Sequence, residues 1–146
     1  FNYFIGNDGV YYARMAENIW AGHGIVANSG QPYTTHPPFY PFLIGLLNLL
    51  VHNLELSAYL VSIFAFALGS LLLFILAERI YSRNAAHFAA FLYVTQGFLL
   101  INAAAALADS LFVAELLGCL LLVLMLIEDK RPFGLWAVLF GLLSGL

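Results

Sequence analysis

The chain has 146 residues, of which 63% are hydrophobic and only 9% are charged. Soluble globular domains carry about a quarter charged residues, so a soluble domain of this length would expose far too much apolar surface to water. A membrane is therefore the predicted solvent. The net charge of −3 gives no support for nucleic-acid binding, and the single cysteine, Cys119, excludes an intrachain disulfide.

The polar N-terminal part of the chain, residues 1–55, predicts two short surface helices. The first covers residues 9–21, because its apolar side chains share one face: Tyr12, Met15, Ala16, Ile19 and Trp20. The second covers residues 38–52, and its roughly 14 residues are too few to cross a hydrocarbon core of about 30 Å. A re-entrant or interfacial helix fits this length better. Pro37 and Pro38 start it and fix His36 at the level of the lipid headgroups.

Three longer apolar segments predict membrane spans near residues 56–77, 85–104 and 107–127. A fourth apolar segment starts near residue 133 and stops at the end of the chain. The chain also begins without a methionine, so we expect a piece of a longer protein, truncated at both ends. All 146 residues then belong to one membrane-embedded domain.

The basic residues predict which side of the membrane each connection faces. Two of the five Lys and Arg residues follow the first span, two follow the third span, and none lies near residues 102–106. The positive-inside rule then places the first and third connections in the cytoplasm. Residues 1–55 and the turn before the third span face outside, toward the periplasm, the cell exterior or an organelle lumen. We expect a multi-pass protein of the inner or plasma membrane, or of the endoplasmic reticulum in a eukaryote.

This topology places Asp8, His36 and Asp109 on the same side of the membrane. Asp8 is either the N-cap of the first surface helix or a functional acid, since Asn7 could cap the helix equally well. Asp109 begins a membrane span, where a charge is costly unless it is paired or hydrated, and it is either a cap or a functional acid. His36 is either a structural loop residue or a ligand-binding group. Glu115, deeper in the same span, either pairs with another span or faces water.

Four stretches together resemble the GT-C class of membrane glycosyltransferases, in the branch of protein O-mannosyltransferases and lipid A aminoarabinose transferases. Three of them follow the order in which the family has them: "NDGVYYARMAENI", "HPPFYPFLIGLL" and "ADSLFVAELLGCLLLVL". The cytoplasmic "LAERIYSRNAAHFAAFLY" is similar as well. The resemblance implies an all-α, polytopic membrane helix bundle with short interfacial helices in a loop on the outer face.

The resemblance also implies a reaction. Such enzymes transfer a sugar from a polyprenyl-phosphate donor to a lipid, glycan or protein acceptor on the outer face, usually with inversion. Asp8 would be the catalytic base, and Arg14 and His36 would bind the donor phosphate. Asp109 would bind the sugar or acceptor, or support Asp8. Many relatives have lysine in place of His36 and a second acid in place of Gly9. These departures leave phosphate recognition and the use of a divalent metal open, and the fragment alone is expected to be inactive.

Two other functional classes remain as alternatives. A membrane transporter or channel subunit would also carry carboxylates in its spans, but it predicts polar residues deep in several of them. A structural subunit predicts no grouping of ionisable residues on one side. The sequence contains no Walker loop, dinucleotide-binding glycine pattern or zinc pattern, which argues against a nucleotide cofactor in this part of the protein.

Overall fold

A computed structural model describes residues 7–26, 32, 36–129, 138 and 141. The predicted fourth span, residues 133–146, falls outside the described residues except for two isolated positions. Within the described part the chain forms helices and no strand, apart from an isolated antiparallel bridge between Val26 and Pro32. The predicted all-α fold is confirmed. The helices are α1 (Asn7–Trp20), α2 (Phe39–Val51), α3 (Leu54–Ile80), α4 (Arg83–Thr95), α5 (Gly97–Ala104) and α6 (Asp109–Asp129).

Helices α3 and α6 are long and apolar enough to cross a membrane, and they lie parallel to each other. At one end, the Ser62 hydroxyl of α3 lies 3.1 Å from the carbonyl oxygen of Leu107, just before α6. At the other end, Arg79 of α3 pairs with Glu128 of α6 at 2.8 Å. The first end is called the Asp109 end below and the second the Glu128 end. Both helices therefore cross in the same direction.

Helices α4 and α5 return the chain from the Glu128 end to the Asp109 end. They are bent by 55° relative to each other. The levels of Ser62 and Arg79 differ by about 26 Å at the helical rise of 1.5 Å per residue, close to the roughly 30 Å of a hydrocarbon core. Because α4 starts at one level and α5 ends near the other, the two helices form one broken span rather than a re-entrant loop. They correspond to the predicted segment 85–104.

The bend between α4 and α5 follows from side-chain chemistry at Thr95 and Gln96. The Thr95 hydroxyl donates to the carbonyl oxygens of Phe91 at 2.8 Å and Leu92 at 3.2 Å. Gln96 is extended, with ψ of 108°, and its N–H bonds to Tyr93 instead of Leu92. Hydroxyl back-bonding of this kind bends helices, because it competes for the carbonyls of the preceding turn. The apolar run thus crosses the membrane without forming one straight helix.

Helices α1 and α2 are the two short helices that the sequence predicts near residues 9–21 and 38–52, and they pack on each other. The Trp20 indole at the end of α1 stacks on Phe42, with ring centroids 5.4 Å apart, and its N–H donates to the Phe42 carbonyl at 3.1 Å. The indole lies directly over Gly45, where any side chain would overlap it. Between the helices, Asn18 donates to the carbonyl of Val26 at 2.8 Å, which holds the start of the connecting loop against α1.

The α1–α2 pair packs on α3 near the Asp109 end through a small core. Its buried members come from both surface helices, from α3 and from the turn before α6: Tyr12, Ala16, Tyr40, Ile44, Ala58 and Ala106. Asn53 caps α3 by accepting from the N–H of Leu56 at 3.0 Å. Ala106 is fully buried with a left-handed φ of 55°, which makes the turn between α5 and α6 tight. This packing places α1 and α2 beside the starts of α3 and α6.

The contact between Trp20 and Gly45 makes a testable prediction about stability. Gly45→Ala in the complete protein should lower the free energy of unfolding by about 1–3 kcal/mol, because the new methyl group displaces the indole from α2. The measurement is thermal unfolding in detergent. Gly97→Ala is the matched control, since Gly97 is helical and nothing lies within 4 Å of its added methyl group. Equal stability of the two variants would contradict the packing of α1 on α2.

Candidate functional site

Asp8 and Asp109 both lie in the first turn of a helix. Helix α1 begins at Asn7 and helix α6 begins at Asp109, so both acids are inside their helices rather than at the preceding N-cap position. Both side chains are exposed, and neither carboxylate accepts a hydrogen bond from the described part of the chain. Their oxygens are open to solvent and to a ligand.

His36 lies against the first turns of α1. Its imidazole makes an edge-to-face contact with the Tyr12 ring, with centroids 5.1 Å apart and an interplanar angle of 85°. Tyr12 is one helical turn beyond Asp8, so the two side chains project from the same side of α1. His36 is half-buried. The structure thus brings the turn before α2 next to the helix that carries Asp8 in its first turn.

Arg14 occupies a different side of α1. It is two residues from Tyr12, which corresponds to about 200° around a helix, so the two side chains point in nearly opposite directions. Its guanidinium pairs with Glu17 at 2.9 Å, and both side chains are about half exposed. Exposed pairs of this kind contribute little to stability, so the guanidinium can exchange Glu17 for another anion. A role of Arg14 in phosphate binding stays a prediction.

Asp109 is linked to the α1–α2 pair through two buried hydroxyl groups. The Tyr40 oxygen lies 2.6 Å from the Ser62 oxygen and 3.2 Å from the carbonyl oxygen of Ala58. Ser62 in turn lies 3.1 Å from the carbonyl oxygen of Leu107, two residues before Asp109. Tyr40 also packs edge-to-face on Tyr12, with ring centroids 4.9 Å apart. A continuous set of contacts therefore runs from α1 through α2 and α3 to the start of α6.

The hydroxyl groups of Tyr40 and Ser62 together make three contacts with oxygen atoms, but they have only two hydrogen atoms to donate. If Ser62 donates to Tyr40, then Tyr40 donates to Ala58; if Tyr40 donates to Ser62, then Ser62 donates to Leu107. The short bond between Tyr40 and Ser62 is present in both arrangements. Burial raises the pKa of the Tyr40 phenol above its ordinary value, so the hydroxyl keeps its proton and remains a donor.

Glu115 lies six residues beyond Asp109 in α6 and is partly buried. One of its carboxylate oxygens and the hydroxyl of buried Ser110 have no hydrogen-bond partner within the described residues. In the same part of the chain, no three His, Cys, Asp or Glu side chains are grouped so as to hold a metal ion. The sequence did not identify Tyr12, Tyr40 and Ser62 as neighbours of the site. The only local feature of the sequence that points to any of them is the short distance between His36 and Tyr40, which are four residues apart in "HPPFYP".

The helix arrangement defines a polytopic membrane helix bundle, and the chain is an integral membrane protein. Residues 35–146 match the family described as dolichyl-phosphate-mannose-protein mannosyltransferase, and the chain belongs to this family. The match confirms the GT-C resemblance. It includes His36 and Asp109, whereas Asp8 and Arg14 precede the matched residues. No curated protein and no solved structure matches the chain significantly.

Proposed function

We propose that the chain carries the donor-binding and catalytic part of a glycosyltransferase that uses a polyprenyl-phosphate sugar. The family description names dolichyl-phosphate mannose as the donor and protein as the acceptor; a lipid or glycan acceptor is compatible with the same chemistry. The contact between His36 and Tyr12 carries the proposal, because it places the side chain proposed to bind the phosphate against the helix whose first turn carries the exposed Asp8. The whole site lies at the Asp109 end of the bundle.

The proposed reaction is a single displacement at the anomeric carbon. The acceptor oxygen forms a bond to this carbon while the bond from the carbon to the phosphate oxygen breaks. The Asp8 carboxylate takes the proton of the acceptor hydroxyl, and the lipid phosphate leaves with the electron pair. Attack opposite the leaving group inverts the configuration of the sugar. A positioned general base of this kind contributes about 10²–10⁴-fold to a rate.

The leaving phosphate needs positive or hydrogen-bonding partners in a region of low dielectric constant. His36 provides one at the start of α2, at the level where a membrane-bound donor presents its headgroup. Arg14 provides a second when its guanidinium exchanges Glu17 for the phosphate. Asp109, in the first turn of α6, is proposed to bind the sugar or the acceptor. The fragment is proposed to need the rest of the protein for activity.

The charge distribution supports an outer-face site. At the Glu128 end, Arg79 pairs with Glu128 and Arg83 lies 4.0 Å from Glu78. Arg79 and Arg83 thus lie at the end opposite to His36 and Asp109, whereas Arg14 lies on α1, and the positive-inside rule assigns the Glu128 end to the cytoplasm. The transporter alternative predicts several acids far from the ends of the spans. In the described spans α3, α4 with α5, and α6, Glu115 alone has this position.

The orientation predicts which cysteines an impermeant thiol reagent reaches in intact cells. With Cys119 replaced by serine in the complete protein, His23→Cys in the α1–α2 loop should react before permeabilisation. Asn84→Cys, in the first turn of α4, should react only afterwards; both positions are exposed. The reverse pattern would overturn the orientation and the outer-face site.

Replacing Asp8 tests its proposed role as the base. Asp8→Asn in the complete enzyme should lower kcat by about 10²–10⁴-fold, while the protein still binds the lipid donor and keeps its unfolding temperature. Asparagine has nearly the same size and shape as aspartate and keeps a side-chain oxygen, so the substitution removes the carboxylate with little change in packing. Glu17→Gln on the same helix is the control and should keep most of the activity. Normal turnover in Asp8→Asn would reduce Asp8 to a helix-end residue.

Replacing His36 tests the proposed contact with the donor phosphate. His36→Ala should weaken donor use, measured as kcat/KM for the donor, by about 1.5–3 kcal/mol, the range for a hydrogen bond to a charged group. His36→Lys should retain much of it, because lysine also presents a cation to a phosphate. His23→Ala, which removes an exposed imidazole from the same loop, should have no effect. Equal donor use by wild type and His36→Ala would exclude the contact.

A further inference from the structure

Tyr40 connects two parts of the molecule that carry different residues of the proposed site. Helices α1 and α2 form one part, held together by the Trp20–Phe42 and Tyr12–Tyr40 contacts, and this part carries Asp8 and His36. Helices α3 and α6 form the other part, joined at both ends by Ser62 and Arg79, and it carries Asp109. The Tyr40 side chain belongs to the first part and bonds to the second.

The other described contacts between α2 and α3 are mainly apolar. Ile44 packs with Ala58 in the shared core, and such packing is not directional. Apolar packing sets the position of one helix on its neighbour less sharply than a directional hydrogen bond does. The 2.6 Å bond from Tyr40 to Ser62 fixes the position of α2 along α3, and it forms in a buried setting where water does not compete.

The same bond acts on both sides of the site. Tyr40 supports the ring of Tyr12, and Tyr12 contacts the imidazole of His36. In the arrangement in which Tyr40 donates to Ser62, Ser62 donates to Leu107 and holds the turn that precedes Asp109. A shift of α2 on α3 would therefore change the distance between His36 and Asp109 without changing either side chain.

We propose that Tyr40 is a positioning residue of the transferase: its hydroxyl group, through Ser62, sets the distance between the donor-binding residues on α1 and α2 and Asp109 on α6. The inference rests on the proposed function. Tyr40 is buried beneath the site and has no role as a base or a phosphate ligand. Its contribution is to the geometry in which the donor sugar meets the acceptor.

Tyr40→Phe tests this role, because it removes the hydroxyl and keeps the ring that contacts Tyr12. Misplacing reacting groups by about 1 Å costs up to about 10²-fold in rate, so kcat should fall by roughly 10–100-fold while the donor KM changes by no more than about threefold. Tyr59→Phe is the matched control: it removes a buried phenol hydroxyl of α3 that has no hydrogen-bond partner among the described residues. The control should keep the wild-type kcat.

Two further variants identify the bond itself. Ser62→Ala removes the bond to Tyr40 and the bond to Leu107, so it should also lower kcat. The double variant should lose less than the sum of the two single losses, because the Tyr40–Ser62 bond is lost in both single variants. Additive losses would overturn the proposal. The proposal would also be overturned if Tyr40→Phe lowers the unfolding temperature but has a normal kcat per folded molecule. If Tyr40→Phe does not fold, Ser62→Ala with normal kcat overturns the proposal and reduced kcat supports it.

A distance measurement separates this inference from the proposed function. Spin labels at Leu46→Cys on α2 and Phe112→Cys on α6, both exposed positions, should give a narrow distance distribution when Cys119 is replaced by serine. Tyr40→Phe should broaden or shift that distribution, and Tyr59→Phe should not. If the wild-type protein transfers no sugar from a polyprenyl-phosphate donor, the proposed function fails. The distance distribution then tests on its own whether Tyr40 positions α2 relative to α6. An unchanged distribution in Tyr40→Phe overturns the positioning role.

Discussion

The buried hydrogen bond between Tyr40 and Ser62 joins the surface helices of this protein to its membrane spans. A single hydrogen bond contributes only about 1 kcal/mol to stability, so its importance lies in where it is made. It connects α2 to α3 at the level of the turn that precedes α6, and the same tyrosine ring supports Tyr12 of α1. At this point α1, α2, α3 and the turn before α6 are fixed relative to each other, although no local feature of the sequence sets their arrangement.

Polar groups elsewhere in the described structure lie mainly near the helix ends or satisfy backbone atoms. Arg79 and Glu128 pair where two spans end, and Thr95 donates to carbonyl oxygens of its own helix. Hydrocarbon offers no hydrogen-bond partners, so a polar side chain inside a span must find one in the protein. Tyr59, Tyr93, Ser110 and Glu115 depart from this rule, because each has a buried oxygen without a partner in the described residues.

The sequence predicted the parts of the fold that depend on composition and periodicity. The apolar runs gave the positions of α3 and α6, and the face shared by Tyr12 and Met15 gave α1, although α1 runs from Asn7 to Trp20 rather than over residues 9–21. The sequence did not predict the break at Gln96, because hydropathy does not show whether a threonine hydroxyl donates a hydrogen bond to a carbonyl oxygen of its own helix. That Asp8, His36 and Asp109 face one side of the membrane stays a prediction from the basic residues.

The contacts between these residues could not be predicted in the same way. Tyr40 and Ser62 are 22 residues apart, and nothing local in the sequence marks Ser62 as the partner. The direction of the Arg14 side chain, in contrast, follows from the helical repeat. Arg14 is two residues from Tyr12, and this spacing places it on another side of α1. The sequence thus yields the candidate residues, and the packing of α2 on α3 decides which of them are neighbours.

The parallel course of α3 and α6 has an electrostatic consequence. Each helix behaves as though it had about half a positive charge at its N-terminus and half a negative charge at its C-terminus. Two long helices with the same direction add these fields, whereas the returning span is divided between α4 and α5 by a 55° bend and opposes them less effectively. In a medium with few screening ions these dipoles contribute a positive potential at the Asp109 end, opposite in sign to the formal charges of the acids there.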